Sequence, residues 1–312
     1  MQVVLLFPGQ GSQKPGMGKE LAAAHPAAAE TFHAVDAALG VALSTLAFEG
    51  PEEELTRTLN AQPALLAHGA AVWNVVREQV GPRVVAAAGH SLGEFTAYHA
   101  AGAIGVADAA RLVRRRGELM WETGNARPGA MAAILGDIQS PIEAICAAAS
   151  TAAGTVVPAN YNSPGQVVIS GEVAGVEKAM ELAKAAGAKR AIKLNVSGAF
   201  HSPLMAPAEG GLQAALMRAN VGDAAFPVYA NVSAEPTRWR ISIMHRLARQ
   251  LTQPVRWTAV VERLAAAYPD ALYVEMGPGT VLAGLVQKIA PSVATMSCGT
   301  PADVEQLLAK VG

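Results

Sequence analysis

The chain is 312 residues long, 51% hydrophobic and 16% charged, with a net charge of −1. That composition supports a large core and excludes a disordered chain, and the balanced charge leaves no global basic field for nucleic acid. The two cysteines, Cys146 and Cys298, lie too far apart for a metal motif or a disulfide framework and suit a reducing cytoplasm. The opening run Met1–Phe7 is apolar but short, which predicts a first core strand over Val3–Phe7 instead of a signal peptide. No stretch reaches the length of a membrane span. A loop rich in glycine and amides follows (Pro8-Gly9-Gln10-Gly11-Ser12-Gln13), then helical patterns at 18–39 and 62–80, a strand at 83–88, and helices near 92–102 and 107–122. Continuous apolar strands alternating with helices predict an α/β fold with a parallel sheet covered on both faces.

From about residue 127 the texture changes. Strands are expected at Ala130–Leu135, Thr155–Ala159, Gln166–Ser170 and Arg190–Val196, and a turn at Asn162-Ser163-Pro164-Gly165. Helices are expected at Ser140–Ala149, with Ser140 as N-cap and Pro141 at the first helical position, and at Val173–Ala186. The order β-α-β-β-α-β is ferredoxin-like. It predicts a small domain, 127–198, inserted into a larger one made of 1–126 and 199–312. The α/β pattern then resumes with strands at Pro227–Asn231 and Leu272–Glu275 and helices near 241–251 and 257–267.

The run Val84–Phe95 carries the chemistry. Gly89-His90-Ser91-Leu92-Gly93 sits between a buried strand and a helix, the setting of a nucleophile elbow, with Ser91 at the turn. Alone the motif is weak; its context gives it weight. Serine needs a base, usually histidine. Of seven histidines, His201 stands out, because Ser197-Gly198-Ala199-Phe200-His201-Ser202-Pro203 is the loop that returns from the insert to the main sheet. No orienting acid announces itself. Asp223, Glu235, Glu262, Asp270 and Glu275 are equal candidates, and a backbone carbonyl could serve instead. On the helix near 107–122, Ala109, Leu112, Val113, Leu119 and Met120 form one stripe, and Arg116 falls at its centre while Arg114 and Arg115 fall off it. A buried guanidinium needs a partner. Register alone leaves open whether that is an internal acid, such as Glu94 or Glu118, or a substrate carboxylate.

Several motifs in order carry a resemblance. They are Phe7-Pro8-Gly9-Gln10-Gly11-Ser12-Gln13, Gly89–Glu94, Arg116-Gly117, Asn162–Gln166, Gly198–Ser202, Gln250-Leu251 with Pro254-Val255 and Trp257, and Glu275–Gly279. Over nearly its full length the chain resembles the malonyl-CoA:acyl carrier protein transacylase family. The resemblance implies an α/β-hydrolase-like core with a ferredoxin-like insert, and a ping-pong transfer of malonyl from malonyl-CoA to the phosphopantetheine thiol of acyl carrier protein, supplying fatty acid synthesis. It implies Ser91 as nucleophile and His201 as base, Arg116 on the malonyl carboxylate, and Gln10 with the Leu92 backbone N–H at the oxyanion hole. The Gln250 carbonyl would orient His201, and Gln62 and Phe200 would line the pocket. A cytoplasmic monomer without metal or cofactor, and without a nucleic-acid or membrane partner, is expected. Acidic carrier proteins would meet basic residues among Arg114, Arg115, Lys189, Arg190, Lys193 and Arg249. The basic segment 236–246 departs from the family pattern. A hydrolase with the same elbow, a relative serving another carrier, and a non-catalytic carrier-binding scaffold are the rival readings.

Overall fold

The computed structural model describes residues 1–196 and 198–312. The chain begins with β1 (Val3–Phe7), α1 (Lys19–Ala24), α2 (Pro26–Leu39), α3 (Leu43–Glu49), α4 (Glu52–Thr56), the long α5 (Thr58–Val80), β2 (Val84–Gly89), α6 (Gly93–Ala100) and α7 (Val106–Ala126). Then come β3 (Gly129–Leu135), α8 (Ile142–Ala153), β4 (Val156–Ser163), β5 (Gln166–Glu172), α9 (Val173–Ala185) and β6 (Arg190–Lys193). The remainder is α10 (Ala206–Arg218), β7 (Val228–Tyr229), β8 (Pro236–Thr237), α11 (Arg240–Arg249), α12 (Trp257–Ala267), β9 (Leu272–Met276), α13 (Val281–Ile289), β10 (Ala294–Cys298) and α14 (Pro301–Val311).

Six strands form one sheet in the order β10-β9-β1-β2-β7-β8, parallel except for β8. Every residue of β1 is buried because both faces are covered. Val3, Leu5 and Phe7 point into the core under α2, α5, α6 and α7, while Val4 and Leu6 point into the core under α12 and α13. Four strands form a second sheet, β4-β5-β3-β6, all antiparallel, with α8 and α9 packed on one face over Ala132, Ile134, Val156 and Ile169. Its other face turns Met131, Ala133 and Val168 toward the main sheet. The two parts are tied by backbone bonds from Tyr161 N to Val255 O (2.9 Å) and from Val255 N to Ala159 O (2.8 Å).

The expected elements are present, with displaced ends. The helix expected over 18–39 is two helices, because Pro26 drives His25 to an extended φ,ψ of −130°, 115° and starts α2 afresh. The helix expected from 62 begins at Thr58 and runs through Pro63. A proline at 63 cannot donate to the Leu59 carbonyl, but Arg114 Nη1 donates to that oxygen instead (3.2 Å), so the helix continues. Ser140 is not an N-cap: α8 starts one residue later than expected, with Pro141 at the cap and no side-chain capping bond. Asn162 and Ser163 remain in β4, and only Pro164-Gly165 turns. Ser197, at the head of the returning loop, lies outside the described residues.

The elbow depends on two close approaches. A Cβ on Gly89 would lie 1.9 Å from the Gly93 carbonyl carbon, and one on Gly93 would lie 2.1 Å from Phe7 O. Both contacts are with backbone, which cannot swing aside. We expect Gly93→Ala to cost at least about 3 kcal/mol of stability or to abolish folding, read as a lowered urea midpoint or loss of soluble protein.

Candidate active site

The register Phe7↔Gly89 brings the C-terminal ends of β1 and β2 side by side, and His90 N donates to Phe7 O (2.9 Å). Ser91 follows at φ 52°, the left-handed turn conformation of an elbow residue. Its N–H donates to Asn231 Oδ1 (2.7 Å), and Asn231 Nδ2 donates to Gly89 O (2.7 Å), so one buried amide clamps both sides of the turn. His201, also at positive φ (56°), is held by a loop in which Ser202 Oγ donates to Ala199 O (2.6 Å).

Ser91 Oγ and His201 Nε2 are 2.8 Å apart. His201 Nδ1 donates to the Gln250 backbone carbonyl (2.7 Å). A carbonyl only accepts, so the proton of the neutral ring sits on Nδ1 and Nε2 is left to accept from the serine hydroxyl. Gln250 caps the C-terminus of α11, where a helix leaves its last carbonyls without internal partners. Burial, and next to it the charge of Arg116, hold the His201 imidazole down to about 3, against the opposing pull of the Gln250 carbonyl. The ring is neutral at neutral pH.

Arg116 is 1% exposed on α7. Nη1 donates to Gln62 Oε1 (2.8 Å), and Nη2 donates to Gln250 Oε1 (3.0 Å) and to Ser91 Oγ (3.0 Å). Nε has no partner, the guanidinium lies 5.9 Å from the Phe95 ring centroid, and no carboxylate pairs with it among the described residues. Burial lowers its pKa to about 10, partly offset by Glu94. Glu118, one of the two acids that could have neutralised it, pairs with Arg114 and Arg115. The other, Glu94, accepts from Gln250 Nε2 (2.7 Å) and the Asn231 N–H (3.0 Å).

These groups open on a cavity of about 390 Å³ lined by Gln10, Ser91, Leu92, Arg116, Phe200 and His201, and roofed by Asn160, Asn162 and Gln166 from the second sheet. Gln10 Nε2 donates to Thr58 Oγ1 (3.2 Å), so its side-chain amide is committed elsewhere. The backbone N–H groups of Gln10 and Leu92 donate to no described group. Leu92 stands at the head of α6, whose dipole favours negative charge there. Gln62 does not line the cavity. It lies one layer behind, because its oxygen is turned onto Arg116 and its Nε2 onto Met120 Sδ (3.3 Å). His90 is turned away from the serine, 2.8 Å from Asn162 Oδ1. Among the basic candidates, Arg114, Arg115 and Lys193 are spent on internal acids, while Lys189, Arg190 and Arg249 form no ion pair among the described residues. In the basic segment 236–246, Arg238 donates to the carbonyls of Ala224 and Ala225, and Arg246 to that of Glu235. Asn231 was not anticipated as a site residue. A polar residue two positions past a buried strand, at the carboxyl edge of a parallel sheet, is the signal that could have found it.

A serine at a strand–helix elbow, bonded to a neutral histidine above an α/β sheet, is the arrangement found in acyl-transferring enzymes with a serine nucleophile. Residues 4–302 match the family described as acyl transferase domain. The chain is 46% identical over 304 residues to the malonyl CoA-acyl carrier protein transacylase of Bacillus subtilis, covering 97% of this chain and 95% of that one. It is 44% identical over 301 residues to the Escherichia coli K12 protein of the same name, covering 96% of each. It superposes with a TM-score of 0.94 on the acyl-carrier-protein-S-malonyltransferase of Bartonella henselae (42% identity, 100% of both chains). The same score is reached with a malonyl-transacylase solved in complex with its type II PKS acyl-carrier protein (41% identity, 99% and 100%). The chain belongs to the malonyl CoA-acyl carrier protein transacylase family.

Because Arg116 Nη1 has only the Gln62 oxygen, Gln62→Leu leaves a buried charge short of one acceptor. We expect it to cost roughly 2–3 kcal/mol in urea unfolding, with Met120, its other neighbour, still packed.

Proposed function

We propose that the protein moves malonyl from malonyl-CoA to the phosphopantetheine thiol of an acyl carrier protein, through an ester on Ser91. The observation that carries this reading is the buried Arg116, in contact with Ser91 Oγ and without an internal carboxylate. Ser91 gives its proton to His201 Nε2 as Oγ attacks the thioester carbon. Charge builds on the carbonyl oxygen, where the backbone N–H groups of Leu92 and Gln10 receive it, each worth roughly 3–4 kcal/mol of barrier. The C–S bond breaks, the CoA sulfur takes the proton from His201, and malonyl remains as the Ser91 ester. The carrier thiol then gives its proton to His201, attacks the ester carbonyl, and Ser91 leaves and regains the proton.

Arg116 holds the malonyl carboxylate by parallel N–H bonds. Pairing does more than anchor. The guanidinium charge is the second cause of the depressed His201 basicity, so a carboxylate that offsets it makes His201 a better base. Malonyl is thereby favoured in the chemical step as well as in binding. Phe200 limits bulk on the α-carbon, and Gln62 supports the arginine. The same reading treats 127–198 as an insert that roofs the core of 1–126 and 199–312, places the enzyme in the cytoplasm as a monomer, and assigns no metal or cofactor to the reaction. No helix among the described residues is long and apolar enough to cross a membrane.

Protein exposed to malonyl-CoA is expected to gain one malonyl mass, lost in Ser91→Ala. Labelled free malonate with no carrier product would instead favour a hydrolase. Arg116→Ala is expected to lose malonyl transfer by about 10²–10³-fold more than acetyl transfer, the scale of an unpaired buried charge. Equal losses would remove the arginine's assigned role.

A further inference from the structure

One buried carboxylate stands at the centre of the cluster without contacting the cavity. Glu94 is 1% exposed, in the first turn of α6, three residues beyond Ser91. Its Oε2 accepts from Gln250 Nε2 (2.7 Å) and from the Asn231 backbone N–H (3.0 Å). The first bond fixes which way the Gln250 amide points. Its NH₂ end faces Glu94 and the Ser91 carbonyl (3.0 Å), and its oxygen faces Arg116 Nη2 (3.0 Å). Reversed, the amide would set donors against a guanidinium and an oxygen against a carboxylate in a dry site. Gln250 also supplies the carbonyl on His201 Nδ1, and Asn231 supplies the oxygen on the Ser91 N–H.

We propose that Glu94 is a positioning residue for malonyl transfer: through Gln250 and Asn231 it sets the guanidinium, the imidazole and the nucleophile elbow together. The proposal rests on the malonyl-transfer reading. It predicts a specific pH dependence. Burial raises the Glu94 carboxyl to about 7, restrained by its bonds to Asn231 and Gln250 and by the charges of Arg246 on α11 and Arg116 on α7, with the Tyr98 phenol beside it on α6. In the free enzyme His201 is held near 3, so an acid limb just below neutrality in the second-order rate of ester formation, which reports free-enzyme groups, belongs to Glu94 and not to the base. Acidification protonates Glu94, its hold on the Gln250 amide weakens, and malonyl transfer falls.

The test follows the second-order rate of malonyl-ester formation on Ser91, at malonyl-CoA far below saturation, by mass spectrometry from pH 5 to 9. Absence of the ester from the wild-type protein at every pH would refute the function itself, and Glu94 is judged only where it forms. Wild type is expected to show an acid limb with a midpoint near 7. Folded Glu94→Gln is expected to lose that limb, to form the ester at least about 30-fold more slowly, and to show a narrowed preference for malonyl over acetyl. A folded variant with an unchanged limb and unchanged preference overturns the proposal, whether its rates are intact or equally reduced for both donors. If the variant does not fold, the wild-type profile decides: a limb near 7 supports the proposal, and a flat profile from pH 5 to 8 overturns it.

Discussion

A full positive charge held in the core without a counter-charge is the constraint around which this site is arranged. The Arg116 guanidinium is met by two side-chain amide oxygens and a hydroxyl. Neutral acceptors meet its two Nη groups, Nε has none, and the charge is left whole; an uncompensated buried charge is costly. In the proposed reaction that cost is the source of selectivity. Had Glu94 or Glu118 reached the guanidinium, the pair would be stable and the arginine would have little left for a substrate carboxylate. The fold prevents this in two ways. Glu118 lies off the buried stripe of α7 and is engaged by Arg114 and Arg115. Glu94 is kept one amide away, with Gln250 between the two charges.

The same constraint accounts for a histidine oriented by a carbonyl. An aspartate behind His201 would fix the tautomer equally well, but it would bring a second anion toward Arg116. A helix-terminal carbonyl fixes the tautomer with a partial charge only. Its position at the end of α11 follows from where a helix runs out of internal donors. Gln250 thus serves both partners at once, the neutral His201 through its backbone and the cationic Arg116 through its side chain. No residue with a charged side chain could take that place without upsetting one of them.

Much of this was legible in the sequence because it depends on local rules. Gly89 and Gly93 around Ser91 announce a close turn, and the contacts at 1.9 and 2.1 Å show why no Cβ fits. Arg116 at the centre of an apolar stripe has to point inward, since helical register follows from geometry alone. The β-α-β-β-α-β order of the second sheet follows from alternating periodicities. What stayed hidden depends on pairings across long stretches of chain. The helix expected over 62–80 fell short of its true start at Thr58, and the arginine that relieves the missing donor of Pro63 lies 51 positions later, on α7. Gln62, which the resemblance set at the pocket, lies behind it because its oxygen is turned onto Arg116, and nothing local shows that.

The acid candidates illustrate the limit most clearly. Read from sequence, Asp223, Glu235, Glu262, Asp270 and Glu275 are alike, and only packing separates them. Glu275 is buried at the end of β9 but accepts from Leu282 N and Ala283 N, capping α13. Asp223 accepts from Arg240 N at the start of α11, and Glu235 pairs with Arg263. These three are engaged away from the imidazole, which already has the Gln250 carbonyl on Nδ1. A carbonyl acceptor leaves no trace in side-chain chemistry, because every residue has one. Composition and spacing can therefore point to a missing acid, but only the path of the backbone shows what replaced it. In this fold the replacement is imposed by the charge of Arg116.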